Sequence, residues 1–221
     1  MSIKSNLLAI KQSLPPEVTL VAVSKTKPVE DILQAYQAGQ RVFGENKILE
    51  MTNKWEALPK DIQWHMIGHV QTNKVKFMAP YVQLVHGVDS LKLLEEINKQ
   101  AAKHNRIIDC LLQMYIADEQ TKFGLDHSEL VQIIQHLQSH PDQFQNIRIV
   151  GLMGMATFTN DESQIQKEFN QLNSFFQIAK QQPTTPNFQP TILSMGMSGD
   201  YKLAVECGST MVRIGSSIFS S

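Results

Sequence analysis

Leu20-Val21-Ala22-Val23-Ser24-Lys25-Thr26-Lys27-Pro28 is the stretch that decides how the chain is read. Four apolar residues in a row suit a strand buried on both faces, as in a parallel sheet. Pro28 suits the first turn of a helix. The stretch is therefore a strand followed by a helix, and Lys25 falls at the C-terminal mouth of the strand, where α/β folds place their chemistry. An amine held there against apolar walls loses solvation for its charged form, so its pKa falls and it becomes a nucleophile. A solvated loop lysine is the plain alternative. Lys27 is a second candidate, but it abuts Pro28 at the helix start and is expected to face outward.

Outward from that unit the same alternation repeats. Upstream, Ile3, Leu7, Leu8 and Ile10 mark one helix face, ended by Pro15-Pro16. Downstream, Val29, Ile32, Leu33 and Tyr36 share one face of a helix capped by Gly39. Further strands are expected at 41–46, 63–68, 82–88, 107–115, 147–155, 191–194 and 211–214. Helices are expected between them: one bearing Ile48, Leu49 and Trp55, a short one over 71–78, and long ones capped by Ser90 and by Ser128. Two more are expected over 164–181 and 200–206. Pro183, Pro186 and Pro190 mark a loop before the seventh strand. Eight strands separated by helices imply a parallel sheet. In about 220 residues this is the arithmetic of a single (β/α)₈ barrel spanning 1–221. Strand counting alone leaves an open doubly wound sheet as the rival.

Composition narrows the function. The chain has 221 residues, 42% of them hydrophobic, which is enough for one sizeable core. Twenty basic residues against 21 acidic ones argue against a nucleic-acid footprint. Cys110 and Cys207 lie far apart without metal-ligand neighbours, so neither a disulfide framework nor a zinc site is expected. No signal-peptide h-region opens the chain and no apolar run is long enough to span a bilayer, so no membrane association is expected and a cytoplasmic location is.

The strand ends supply Lys25, Glu45-Asn46, Gly68-His69, Asp118 to Lys122, Met153-Gly154-Met155, Ser194 to Ser198, and Arg213-Ile214-Gly215-Ser216. They contain neither a carboxylate cluster nor a Ser-His-Asp set. Ser194-Met195-Gly196-Met197-Ser198-Gly199-Asp200 leaves a strand and enters a helix, and Gly215-Ser216-Ser217 follows the eighth strand. Glycines and helix-start amides there suit a phosphate, where barrels often bind one. A helix cap at Ser198 and at Asn46, a capping His69 and a satisfied core His65 are the structural alternatives. Met153, Met155, Met195 and Met197 read first as adaptable core. The spacing around Gly196 and Gly208 fits neither a dinucleotide nor a Walker loop. An imine-forming lysine beside a phosphate cradle suggests pyridoxal 5′-phosphate, with a Schiff-base aldolase for a phosphorylated sugar as the competitor.

Six segments together resemble the YggS/PROSC family of pyridoxal-phosphate homeostasis proteins. They are Ala22 to Pro28, Phe43 to Asn46, Trp64 to Lys74, Gly151 to Met155, Ser194 to Ser198 and Gly208 to Gly215. The resemblance implies one barrel similar to the N-terminal domain of alanine racemase. It implies pyridoxal 5′-phosphate carried as an imine on Lys25, with Asn46 beside the ring. Met197 and Ser198 would line the ring and bind phosphate, and Gly215 and Ser216 would add phosphate donors. Many relatives have threonine at the position of Ser216. Arg213 would face the pyridine nitrogen.

An arginine in that place gives up no proton, so the ring nitrogen stays unprotonated and the ring is a weaker electron sink. The racemases add a second base, a tyrosine from another domain, and this sequence ends at Ser221 soon after the eighth strand. The expectation is therefore a carrier of pyridoxal 5′-phosphate in intracellular homeostasis, delivering it to apoenzymes as a monomer and without turnover. A weakly active amino-acid racemase is the alternative, and a cofactor sensor acting through a partner shares the same site. The segment Ile116 to Gly124 follows the family's loop only loosely, and neither Lys122 nor His69 receives a role.

Overall fold

The computed structural model describes residues 2–117 and 123–220. Eight parallel strands close into a barrel in chain order. They are β1 (Thr19–Val23), β2 (Val42–Glu45), β3 (Gln63–Met66), β4 (Leu84–Val88), β5 (Ile108–Gln113), β6 (Ile147–Met153), β7 (Phe188–Ser194) and β8 (Met211–Ile214). Closure is made by β8 pairing with β1, from Thr19 opposite Met211 to Ala22 opposite Ile214. That pairing excludes the open doubly wound sheet.

The helices are α1 (Ile3–Ser13), α2 (Val29–Gln37), α3 (Ile48–Ala57), α4 (Val75–Met78), α5 (Leu91–Lys103), α6 (His127–Ser139), α7 (Glu162–Gln181), α8 (Tyr201–Glu206) and α9 (Ser216–Phe219). Strand alternation sorts the side chains into two cores. Val21, Leu84, Leu111, Val150, Met153 and Met211 fill the barrel interior. Ala22, Phe43, Trp64, Val85 and Leu193 point outward and pack under Ile32, Met51, Leu94 and Phe169 of the helices. Among the described residues no helix is long and apolar enough to cross a membrane.

Three local expectations change. The N-cap of α6 is Asp126, not Ser128; its side chain accepts from Glu129 N–H and the Glu129 carboxylate returns the bond in a capping box. Asp161 caps α7, so this helix starts at Glu162, ahead of the expected Gln164. Pro190 lies inside β7 and not in a loop. The ladder between β6 and β7 slips between Ile149 and Gly151, so a residue without an N–H is tolerated there. A short helix that the sequence reading did not include, α9, follows β8. Asn6 Nδ2 donates to Ile218 O at 3.2 Å and Lys27 Nζ to Phe219 O at 3.4 Å, which ties α9 to α1 and to the turn after β1.

Candidate functional site

Lys25 leaves the end of β1 exposed to solvent, and the apolar walls expected around its amine are not there. Its backbone, by contrast, is held firmly. Lys27 N–H closes a turn onto Ser24 O at 3.0 Å, and Thr26 within that turn has φ +64°. A β-branched residue there is strained. Thr26 N–H donates to Glu50 Oε1 at 2.6 Å, which fixes the strained peptide.

That carboxylate belongs to a buried ionic cluster between β1, β2 and α3. Lys54 Nζ donates to Ser24 O at 2.8 Å and to Glu45 Oε1 and Glu50 Oε1, each at 2.7 Å. Ser24 Oγ donates to Glu45 Oε1 at 2.6 Å. Burial pushes the Glu45 carboxyl above the usual carboxylate range, against the pull of Lys54 and Ser24. Burial would raise Glu50 as well, but Lys54 and Thr26 N–H hold it below that range. Glu45 Oε2 is buried without a hydrogen-bond partner among the described residues. Lys54 was not read from the sequence; its place four residues after Glu50 on a helix was the available signal.

The two phosphate-suited segments meet each other beside the end of β1. Gly196 has φ +98°, and a Cβ there would lie 2.7 Å from Ala204 Cβ, so the exit from β7 requires glycine. The turn stays on β8, with Arg213 N–H donating to Gly196 O at 2.9 Å. Met197, at the tip, is partly exposed, and its N–H donates to Asp200 Oδ1 at 2.6 Å. Ser198 Oγ accepts Gly215 N–H at 3.2 Å, so its hydroxyl joins the two segments instead of capping α8. Gly215 packs on β1, where a Cβ would meet Val23 O at 3.0 Å. Ser216 opens α9; Ile218 N–H and Phe219 N–H both donate to Gly215 O, which leaves the amides of Ser216 and Ser217 without a partner among the described residues.

Arg213 points into the barrel and is buried. Its Nη1 donates to Ser194 Oγ at 2.6 Å and its Nη2 to Gly154 O at 3.0 Å. Behind Ser194 the interior stays polar. Ser194 Oγ lies 3.0 Å from His86 Nδ1, and His86 Nε2 lies 3.0 Å from His65 Nδ1. Burial pulls Arg213 down to about 10, which leaves it charged at neutral pH. Burial holds His65 near about 3 and His86 well below its ordinary value, the latter also pushed down by His65 and Arg213. Both imidazoles are therefore neutral. His65 is the satisfied core residue expected from its place inside a strand. His86 was not singled out, although its inward parity in β4 next to Leu84 was legible.

Comparison with known proteins gives this arrangement a family. A family model described as "Alanine racemase, N-terminal domain" matches residues 1–221. A pyridoxal phosphate homeostasis protein of Pasteurella multocida (strain Pm70) is 38% identical, covering 100% of this chain and 98% of the relative. The chain belongs to the pyridoxal phosphate homeostasis protein family. A solved relative, PipY of Synechococcus elongatus PCC7942, is 35% identical and superposes with a TM-score of 0.91 without PLP and 0.87 with PLP bound. In both, 99% of this chain and 100% of PipY are covered. An alanine racemase from E. faecalis shares the barrel at a TM-score of 0.76 and 18% identity, with 57% of that chain covered.

The remaining candidates of this family member sit around the same rim. Asn46 follows the end of β2 and is half-buried, with Gly68 packed so closely that a Cβ there would lie 2.6 Å from Asn46 O. Asn46, Lys47, Glu50, His69 and Lys74 line a cavity of about 350 Å³. His69 Nδ1 lies 3.3 Å from Asp89 Oδ2, and its ring stacks on Phe123 at 4.1 Å. Lys122 and the other residues of 118–122 lie outside the described residues. Met153 and Met195 are buried, as the core reading of the methionines expected, whereas Met197 is not. Lys25, Asn46, Met197, Ser198, Arg213, Gly215 and Ser216 thus occupy one contiguous arc of the mouth, from β7 through β8 and β1 to β2.

Proposed function

We propose that the chain binds pyridoxal 5′-phosphate at this arc, linked covalently through Lys25, and serves the homeostasis of that cofactor. One observation carries the reading: a lysine at the end of β1 stands next to the joined Ser198–Gly215 segments, with Arg213 below. The names of the relatives and the PLP-bound PipY structure support it. The residues also fit the group chemically. The amides of Ser216 and Ser217 and the hydroxyls of Ser198 and Ser216 suit a phosphate. Of the five N–H donors of a guanidinium, Arg213 commits two to Ser194 and Gly154, which leaves donors for a ring nitrogen. Asn46 would lie beside the ring, and Met197 would cover it.

Bound pyridoxal 5′-phosphate supplies an aldehyde that condenses with an amine, releasing water, and is freed again when water adds back. Lys25 is suited to a reversible link because its amine has no ion-pair or hydrogen-bond partner among the described residues. Arg213, which is not a proton donor at neutral pH, would keep the ring nitrogen unprotonated. The hydroxyls of Tyr36, Tyr81 and Tyr201 are taken up by Asp61, Thr52 and Ser13, so none of these three is a free second base. We therefore read the chain as a cytoplasmic, monomeric carrier that hands the cofactor to apoenzymes, and not as an enzyme.

The experiment is a visible spectrum of the protein with added cofactor. The imine band is expected in the wild type and is expected to vanish in Lys25→Ala. A band that persists in that variant but is lost in Lys27→Ala moves the link to Lys27. Transfer to an apoenzyme faster than passive release supports delivery, and racemisation of alanine near the usual enzyme median of about 10 s⁻¹ overturns the carrier.

A further inference from the structure

The polar thread inside the barrel is more than core filling. Four side chains from four strands, His65, His86, Ser194 and Arg213, make three consecutive contacts of 3.0, 3.0 and 2.6 Å. All four residues are buried. An arginine can only donate, and that fact sets the sense of the whole chain. Arg213 Nη1–H takes a lone pair of Ser194 Oγ. Among the described residues the one acceptor within reach of the Ser194 hydroxyl proton is His86 Nδ1. A neutral imidazole that accepts at Nδ1 carries its proton on Nε2. His86 Nε2–H then donates to His65 Nδ1, so His65 also carries its proton on Nε2.

The opposite sense fails. A proton on His86 Nδ1 would make it a donor to Ser194, whose own hydroxyl proton would then have no acceptor among the described residues. A buried polar group without a partner is costly, so one direction is strongly selected.

We propose that His86, backed by His65, is a positioning residue for Arg213. The chain fixes the Ser194 lone pair, the lone pair and Gly154 O together fix the plane of the guanidinium, and the plane aims its free N–H groups at the cofactor's ring nitrogen. This role rests on the cofactor reading above, whereas the donor direction does not. Without His86 the Ser194 hydroxyl rotates, Arg213 loses its fixed plane, and the ring nitrogen becomes open to a proton from water.

Two measurements separate the parts. In ¹⁵N-labelled, cofactor-free protein at neutral pH, His65 and His86 are expected as Nε2–H tautomers. An Nδ1–H tautomer or an imidazolium at His86 overturns the donor direction whether or not the cofactor binds. In the cofactor-loaded protein, the ring-nitrogen resonance is expected to report an unprotonated nitrogen. His86→Leu should move it toward that of a protonated pyridinium and weaken cofactor binding about tenfold. His86→Gln, whose amide can accept from Ser194 and donate to His65, should restore both. If His86→Leu does not fold, Ser194→Ala breaks the same link by removing a single oxygen. A wild-type ring nitrogen that is already protonated overturns the placement of Arg213 and this role with it. An unprotonated wild-type nitrogen that stays so in His86→Leu and Ser194→Ala, with unchanged affinity, overturns the role of His86 alone.

Discussion

Two buried polar assemblies flank the candidate site, one outside the barrel wall and one within it. The outer one joins Ser24, Glu45, Glu50 and Lys54, an ammonium set between two carboxylates, and grips the backbone on both sides of Lys25. The inner one joins His65, His86, Ser194 and Arg213, three neutral groups ending in a single cation. Each suits what it holds. A strained turn needs a strong acceptor for one peptide N–H, and ionised carboxylates are the strongest available. A guanidinium that has to keep its free N–H groups for a ligand cannot be surrounded by carboxylates, because they would take those donors. Neutral acceptors position it without neutralising it.

The largest expected effect comes from breaking the outer cluster. Lys54→Met leaves the Glu45 carboxyl buried without its cation, and loss of one partner of a buried pair costs about 3–5 kcal/mol. Urea denaturation measures it, and the double variant Glu45→Leu/Lys54→Met should recover a large part of the loss. A cost below about 1 kcal/mol for Lys54→Met would mean that the cluster behaves like a surface pair.

Acid separates the two assemblies. For His65 the folded pKa is about 3 against an ordinary value of 6.5, and His86 is shifted the same way. Between those values the unfolded chain binds the extra protons. This stability is therefore fully present above pH 6.5 and is lost as pH falls toward 3. In the outer cluster the carboxylates oppose each other. The raised Glu45 gives stability that is lost as pH rises through its folded value, while the lowered Glu50 gives stability that is lost as pH falls below 4.5. On acidification the interior therefore loses stability, and the raised Glu45 responds in the opposite sense. At pH 5.5 the neutral burial of His65 costs about 1.4 kcal/mol and His86 adds in the same direction, so a loss of stability is expected between pH 7.5 and 5.5. His65→Gln/His86→Gln should remove most of that difference, and an undiminished pH dependence in this variant would locate it elsewhere.

The sequence carried the rim better than what supports it. Lys25, Ser198, Arg213 and Gly215 were legible because they follow apolar runs at strand ends, a position that the βα alternation predicts. The supports were not legible, because they depend on which strands become neighbours. His65 and His86 are 21 residues apart on paired strands, and His86 and Ser194, 108 apart, touch only because the barrel brings β4 and β7 together. The exposure of Lys25 was missed for a related reason. Its burial depends on the loops around it and not on the apolar run before it. Pro190 misled because proline is read as a loop residue, and the slipped ladder that admits it leaves no mark in the sequence.

The smallest effect sharpens the comparison most. Glu50 serves two donors, Thr26 N–H and Lys54 Nζ, and is only partly buried. Glu50→Gln keeps an acceptor oxygen and removes the charge, whereas Glu50→Ala removes both. If acceptor geometry holds Thr26 in its left-handed turn, Gln should cost no more than about 0.5 kcal/mol. Ala should cost about 1–2 kcal/mol and should also slow formation of the Lys25 band, because the turn relaxes. Denaturation curves and the rate of cofactor loading read the two effects separately. If Gln proves as harmful as Ala, the negative charge is what the turn requires, and the outer cluster differs from the interior thread in kind. If Gln is tolerated, both assemblies work by placing an acceptor, and their charges matter only where Lys54 and Arg213 carry them.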